Sequence, residues 1–203
     1  MEKDLVRCWN TKNPLHIRYH DAEWGVPLHD DNKFFEFLTL GGFQAGLTWW
    51  LILERRESFR RAFDEFDPMK VANYTSEDTQ RLMGTRNVIR NKAKISAAVN
   101  NARCFLEVQK EFGSFDAFIW RFVQGKAIAK AFEGLENLPT ETEESRSMSQ
   151  ELRKRGFQFV GPTICYAFMQ AVGLVNDHIT SCFRYDQIRR MQYPANLNKD
   201  TDV

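Results

Sequence analysis

The chain has 203 residues, 43% of them apolar and 13% aromatic, enough to bury one substantial core or two small lobes around a cleft. Its formal net charge is only +1, so bulk charge gives no argument for nucleic acid, and such a role has to rest on local basic patches. No apolar run approaches the length needed to cross a bilayer, and the start, MEKDLVRCWN, lacks the apolar region and cleavage pattern of a secretory leader, so a cytoplasmic, membrane-free protein with four reduced cysteines is expected.

Apolar spacing is helical nearly everywhere, and no pair of alternating segments brackets a tight turn, so the expected fold class is all-α. Asp30 and Asp31 can cap a helix that turns Phe34, Phe35, Phe37 and Leu38 inward, and Thr48 can start the next, with Leu51, Ile52, Phe59 and Phe63 inward. Asp67 and Pro68 open a short helix, Thr75 with Asp78 has the form of a capping box, and a long helix from about residue 88 to 112 stops at Gly113. Ser114 and Gly125 bracket another. The polar, acidic stretch over residues 133–149 reads as a surface connection, followed by a helix over 150–155 that ends at Gly156. Beyond it come a short glycine-bounded loop, residues 156–161, and a helix with Pro162 at its first position and Gly173 as its stop. Residues 186–203 are expected to form a flexible tail. There are no internal repeats.

Two constellations carry chemistry. His178 and Cys182 are four apart, so on a helix they share a face, and Cys8 and His20 lie twelve apart near the other end; together they make a Cys2His2 set. The spacing alone fits core thiols and surface imidazoles as well as it fits zinc. Cys104 and Cys165 fall on apolar helical faces and read as packing residues. The second constellation is the 156–161 loop, whose backbone N–H groups and following helix N-terminus suit a phosphate, with Arg153, Lys154 and Arg155 just before it. Further basic groups cluster at Arg55, Arg56, Arg60 and Arg61 and at Arg86, Arg90, Lys92 and Lys94.

The runs YHDAEWGVP, QAGLTW, IRNKAKI and RGFQFVGPTICYAFMQAVGLVNDH closely resemble the DNA-3-methyladenine glycosylase I family, small zinc-containing members of the helix-hairpin-helix glycosylase superfamily, in order from about Cys8 to Tyr185. The resemblance implies a single unit of two helical lobes, monomeric, with a structural Zn2+ on Cys8, His20, His178 and Cys182. It implies a hairpin over residues 156–161 that grips double-stranded DNA through Gly156, Gly161 and Thr163, and base-excision repair activity that flips out and hydrolytically releases alkylated bases, chiefly 3-methyladenine. Asn176 stands where related glycosylases carry an assisting aspartate, and Asp177 is expected at a helix N-terminus, where a carboxylate complements the dipole.

An electron-poor base calls for aromatic faces and a few polar contacts. The resemblance places Tyr19, Trp24, Trp49 and Trp9 around it, although CW is contiguous here where the family usually has one residue between. Trp50 reads as core. The chain departs from the family at Gly41, where a glutamate usually contacts the adenine edge, and at His16, where a tyrosine is usual. The glycine predicts a local helix break or a wider pocket floor. Two functions stay open: an excising glycosylase with altered lesion preference, and a relative that binds damaged DNA without cutting it.

Overall fold

The computed structural model describes residues 5–192. Helix α1 (Pro14–Ala22) starts on Asn13, whose side chain accepts the Leu15 N–H, and α2 (Asp31–Gln44) starts on Asp30. Thr48 caps α3 (Trp49–Ala62), and Asp67 caps α4 (Pro68–Ala72). The capping box of Thr75 and Asp78 opens α5 (Ser76–Gly84). Asn91 rather than Val88 starts α6 (Lys92–Phe112), since its side chain takes the Lys94 N–H, and Gly113 ends it as expected. The segment between Ser114 and Gly125 is α7 (Phe115–Ile119) continued by a 3-10 turn, Trp120–Val123. The Asp31 carboxylate accepts the Phe115 and Asp116 N–H groups and so caps α7 across the fold.

Four expectations need correcting. The acidic connection is half helix, for α8 (Glu143–Lys154) begins seven residues before the expected start, on a capping box of Thr142 and Ser145. Its acidic residues, Glu143 and Glu144, occupy the first turn, where they complement the helix dipole, and Ser145, Met148 and Ser149 are buried. Helix α9 (Pro162–Ala171) is followed by a two-residue strand β2 (Val175–Asn176), paired parallel with β1 (Ile128–Ala129); so short a pair leaves no alternation to read. His178 and Cys182 lie in the loop before α10 (Phe183–Gln192) rather than on a helix. Finally, α10 occupies residues 186–192 of the expected tail, whose remainder lies outside the described residues.

The core is rich in phenylalanine: Phe34, Phe35, Phe43, Phe59, Phe63, Phe66, Phe105, Phe115 and Phe118 are fully enclosed. Helix α2 is its hub, packing on α3, α6, α7 and α9, while α8 packs on α9. Leu51 is only half-buried, and Leu53 takes the inward place beside Ile52. Lys94 is also buried; its ammonium donates to Phe43 O at 2.8 Å and Ala45 O at 2.5 Å, satisfying carbonyls at the end of α2.

In the first basic cluster Arg56 is likewise buried, Arg55 and Arg60 are half-buried, and Arg61 is exposed. Glu36, 4% exposed, accepts from Arg56 Nε and Arg60 Nε, each at 2.7 Å, and Arg56 also reaches Glu23. Arg56 and Arg60 are therefore committed to the fold and not to an external anion. Burial pushes the Glu36 carboxyl up, but the hydrogen bonds and charges of Arg56 and Arg60 outweigh it and hold the acid below its ordinary 4.5. A depressed folded value means that the interaction stabilises above about pH 4.5 and is lost as pH falls through the folded value. Glu36→Gln is expected to cost about 2 kcal/mol at pH 7, with the difference from the parent shrinking as thermal unfolding is repeated from pH 5 towards pH 3. A difference independent of pH would contradict this account.

Candidate functional site

A cavity of about 180 Å³ opens between α1, the end of α2, the start of α3 and α9. Its walls are aromatic: Trp9, Tyr19, Trp24, Phe37, Trp49 and Trp50. Small residues make the room, Gly41 from α2 and Ala167 and Ala171 from α9. Trp49 stacks on Phe37 at 6.3 Å and 24° and is tilted against Tyr19 at 5.5 Å. Trp9 meets Trp24 edge-on at 4.8 Å and Trp50 at 5.3 Å. Tyr19 is buried, which pushes its phenol well above the ordinary range and keeps the hydroxyl neutral. None of the lining residues is charged, so the cavity offers π faces and amides to a flat, electron-poor ring.

Behind the Trp9 and Trp24 wall sits a cluster of Cys8, His20, His178 and Cys182, all buried, with one ligand atom from each within 4.8 Å of the others. Cys8 precedes α1, His20 lies in the last turn of α1, and the other two come from the loop before α10, so the cluster joins the two ends of the described chain. Cys8 Sγ lies 3.3 Å from His178 Nδ1, and Cys182 Sγ lies 3.5 Å from both His178 Nδ1 and His20 Nε2. Sulfur and nitrogen ligands of one tetrahedral ion are expected about 3.5 Å apart. The remaining imidazole nitrogens are held from behind, His20 Nδ1 by Asp21 at 2.7 Å and His178 Nε2 by Trp24 O at 3.0 Å. Arg7 fixes Asp21 in turn through a forked contact. This is the outer arrangement that orients metal-binding histidines. Between the two thiols, the hydrogen bond from Cys8, with His178 and His20, holds Cys182 well below its ordinary range, while that same bond and burial hold Cys8 well above it, so the two sulfurs share one proton that a bound metal would displace. The cluster can therefore hold a metal ion.

The loop between α8 and α9 turns on Gly156, at φ +88°, and Phe159, at φ +54°. It is clamped from the inside: Asn100 donates to Gly156 O, Asn101 brackets the Gln158 backbone in both directions, and Ser149 donates to Val160 O. Gly161 precedes α9, which has no side-chain cap, and Thr163 is exposed at its first turn. Arg153 and Lys154 are exposed without a salt bridge among the described residues, whereas Arg155 is paired with Glu111 and Glu151.

Residues 9–185 match the methyladenine glycosylase family. The chain belongs to that family. It is 47% identical over 182 residues to DNA-3-methyladenine glycosylase 1 of Escherichia coli (strain K12), covering 89% of this chain and 97% of that protein. A crystal structure of 3-methyladenine DNA glycosylase I superposes with a TM-score of 0.85 at 47% identity, over 88% of this chain and 98% of that one. The enzyme from Staphylococcus aureus, solved to explain its recognition of 3-methyladenine, gives a TM-score of 0.85 at 35% identity, over 88% and 95%.

Within this methyladenine glycosylase, the residues singled out from sequence divide clearly by position. Tyr19, Trp49, Trp24, Trp9 and Gly41 line the cavity, and so does Trp50, against the expectation that it would be core. His16 does not. Its ring stacks on the outer side of Trp50 at 4.2 Å, between Thr11 and Glu54, so it cannot offer a polar contact in place of the carboxylate missing at Gly41. No break occurs at Gly41, since α2 runs unbroken to Gln44; the glycine only widens the cavity floor. Asn176 is fully buried and outside the lining, donating to Tyr185 O and accepting from His178 N, and is thus a brace for the metal-cluster loop. Asp177 is not at a helix N-terminus; it is buried and accepts from Tyr166 and Gln170. Two lining amides, Gln44 and Gln170, were missed by sequence reasoning. The available signal was a polar residue on a face otherwise made of alanine and aromatic groups.

Proposed function

We propose that the chain is a monofunctional DNA N-glycosylase that extrudes an alkylated nucleotide from double-stranded DNA and hydrolyses its glycosidic bond, with 3-methyladenine the principal base. The observation that carries this is an uncharged aromatic cavity of about 180 Å³ in a chain of the methyladenine glycosylase family. Adenine methylated at N3 is cationic in DNA, so the bond to C1′ breaks with both electrons going to the ring. The base leaves neutral, water adds to C1′, and its surplus proton goes to solvent. No side chain has to protonate the leaving group; the protein has to flip the nucleotide, stack the ring and hold it. Asn176, engaged by the fold, takes no part in that chemistry. Incubation with methylated duplex DNA and identification of the bases released is the decisive assay. Release of 3-methyladenine supports the reading, and binding to the damaged duplex without release of any base at enzyme excess would favour the non-excising alternative.

We further read α8, the clamped loop and α9 as the helix-hairpin-helix of a two-lobed, monomeric glycosylase, holding the DNA backbone at the uncapped start of α9. Gly161 supports this. Its φ of −63° is open to any residue, and a Cβ there would make only an ordinary 3.5 Å contact with Arg153. The folded chain does not itself require glycine at this place, whereas close approach of a phosphate would. Gly156 differs, because its φ of +88° penalises any side chain. Gly161→Val is thus expected to weaken binding to all duplexes about tenfold or more without changing the unfolding midpoint, with binding in parent and variant falling steeply with salt. Unaltered duplex affinity in a folded variant would remove the hairpin from the interface.

The metal we assign is zinc, held by Cys8, His20, His178 and Cys182. Two thiolates and two imidazoles suit it, and a set of four protein ligands leaves no open position for substrate. Its contribution is structural: it ties the segment before α1 to the segment before α10 directly behind Trp9 and Trp24.

A further inference from the structure

The cavity lacks the carboxylate that would accept from an adenine edge, and this raises the question of which group takes that part. The geometry points to Gln170 as the residue that selects for the exocyclic amino group of the base, with Asp177 as the positioning residue that aims it. The inference rests on the reading of the cavity as a base pocket.

At the buried end, Asp177 is 2% exposed, and its Oδ2 accepts the Tyr166 hydroxyl at 2.5 Å and Gln170 Nε2 at 2.8 Å. A carboxylate only accepts, so the Gln170 NH2 must face Asp177 and its oxygen must point the other way. Tyr166 holds the carboxylate from a second direction and so removes its freedom to turn. Among the described residues nothing donates to the Gln170 oxygen, and Gln170 lines the cavity. The result is a free acceptor of fixed orientation in a cavity lined otherwise by rings, small residues and the Gln44 amide. Gln44, the other lining amide, makes no side-chain hydrogen bond among the described residues and can turn either end to a ligand. It cannot discriminate in the same way.

The chemistry of the base then identifies the partner. With N9 bonded to the sugar and N3 to the methyl group, 3-methyladenine in DNA has a single kind of N–H donor, the 6-amino group. An acceptor fixed in the pocket can pair only with that group. A guanine edge, which presents a carbonyl at the same place, would set oxygen against oxygen. The selectivity for adenine that Gly41 does not supply is thereby provided from α9 instead of α2.

The test is a cycle in which the acceptor is removed from the protein and the amino group from the ligand. Affinities of the full-length protein for free 3-methyladenine and for 3-methylpurine, which lacks the amino group, are measured through tryptophan fluorescence. The parent is expected to prefer 3-methyladenine by about tenfold or more. Gln170→Met, similar in length but unable to accept, brings that ratio close to one and leaves 3-methylpurine binding unchanged. Asp177→Asn, which frees the amide to rotate, lowers the ratio several-fold without lowering 3-methylpurine affinity. A purely structural role for Gln170 would weaken both ligands together, and that outcome overturns the assignment. So does a parent ratio near one, which needs no variant at all. Binding of neither base, with no base released from methylated DNA, overturns the pocket reading itself and this inference with it. Binding and release of 3-methyladenine with an unchanged ratio in Gln170→Met overturns only the inference.

Discussion

Cys182→Ser is expected to strip the bound metal and to lower the unfolding midpoint by about 8–16 °C. The figure follows from about 4 kcal/mol for breaking a buried charged set on one side, at about 2–4 °C per kcal/mol in a chain of this size. Cys8, His20, His178 and Cys182 come from the two ends of the described chain and are all buried, so without an ion between them they leave polar atoms facing one another out of reach of water. The damage should extend to the cavity. His20 meets Trp9 edge-on at 4.8 Å, and His178 meets Trp24 at 4.5 Å, so the wall formed by these tryptophans leans on the histidines of the cluster. Affinity for 3-methyladenine should fall with metal content, and a chelator should reproduce both effects. Asp21→Asn, which removes only the support behind His20, is expected to weaken metal binding about 10- to 100-fold while leaving the fold intact at saturating zinc. Metal analysis finding no zinc in the parent, or a Cys182→Ser protein with unchanged unfolding, would refute the structural-zinc assignment.

The second large effect lies at the cavity floor and wall. Trp49→Ala is expected to lower base affinity by roughly 1–3 kcal/mol, or about 5- to 150-fold, and to bring excision down to the limit of detection, because it removes the cavity wall that we propose stacks the base. Gly41→Glu should act in the opposite direction. A Cβ at Gly41 comes no closer than 3.5 Å to Ile164 Cγ2, the helical backbone already suits any residue, and glycine inside a helix costs about 1 kcal/mol relative to alanine. The carboxylate would enter a cavity whose lining holds no other charge, where one polar contact to a base edge is worth about 1–3 kcal/mol. Parent protein should therefore release 3-methyladenine, and the Gly41→Glu protein should gain in affinity or rate. Equal affinity and rate in the two would mean that the side chain turns away from the base. If the parent also released no alkylated base, the non-excising reading would be the better one.

Much of the fold is encoded in local pattern. The caps at Asp30, Thr48, Asp67 and Thr75 and the stop at Gly113 depend on groups within four residues of one another, so the sequence alone determined them. The motif runs determined the family in the same way, because a contiguous run carries its identity without regard to folding. Where the chain contradicted its local pattern, a distant partner had decided. The acidic stretch before Gln150 became helix because α9 offered a surface to bury Met148 and Leu152, and Arg56 and Arg60, basic by sequence, turned inward because Glu36 lies beneath them.

The site shows the same division more sharply. Cys8 and His20 could be paired with His178 and Cys182 by residue type, yet their spacing alone fitted core thiols as well, and only the fold brought one atom from each within 4.8 Å of the others. That Trp50 faces the cavity while His16 stands behind it depends on the angle between α1 and α3. From sequence, Asp177 reads as a carboxylate at a helix N-terminus. Its work, holding one end of Gln170 so that the other stays free, required the chain to turn back on α9 after Gly173 so that residues seven and eleven apart meet, and an irregular turn of this kind leaves no period in the sequence from which to read the contact.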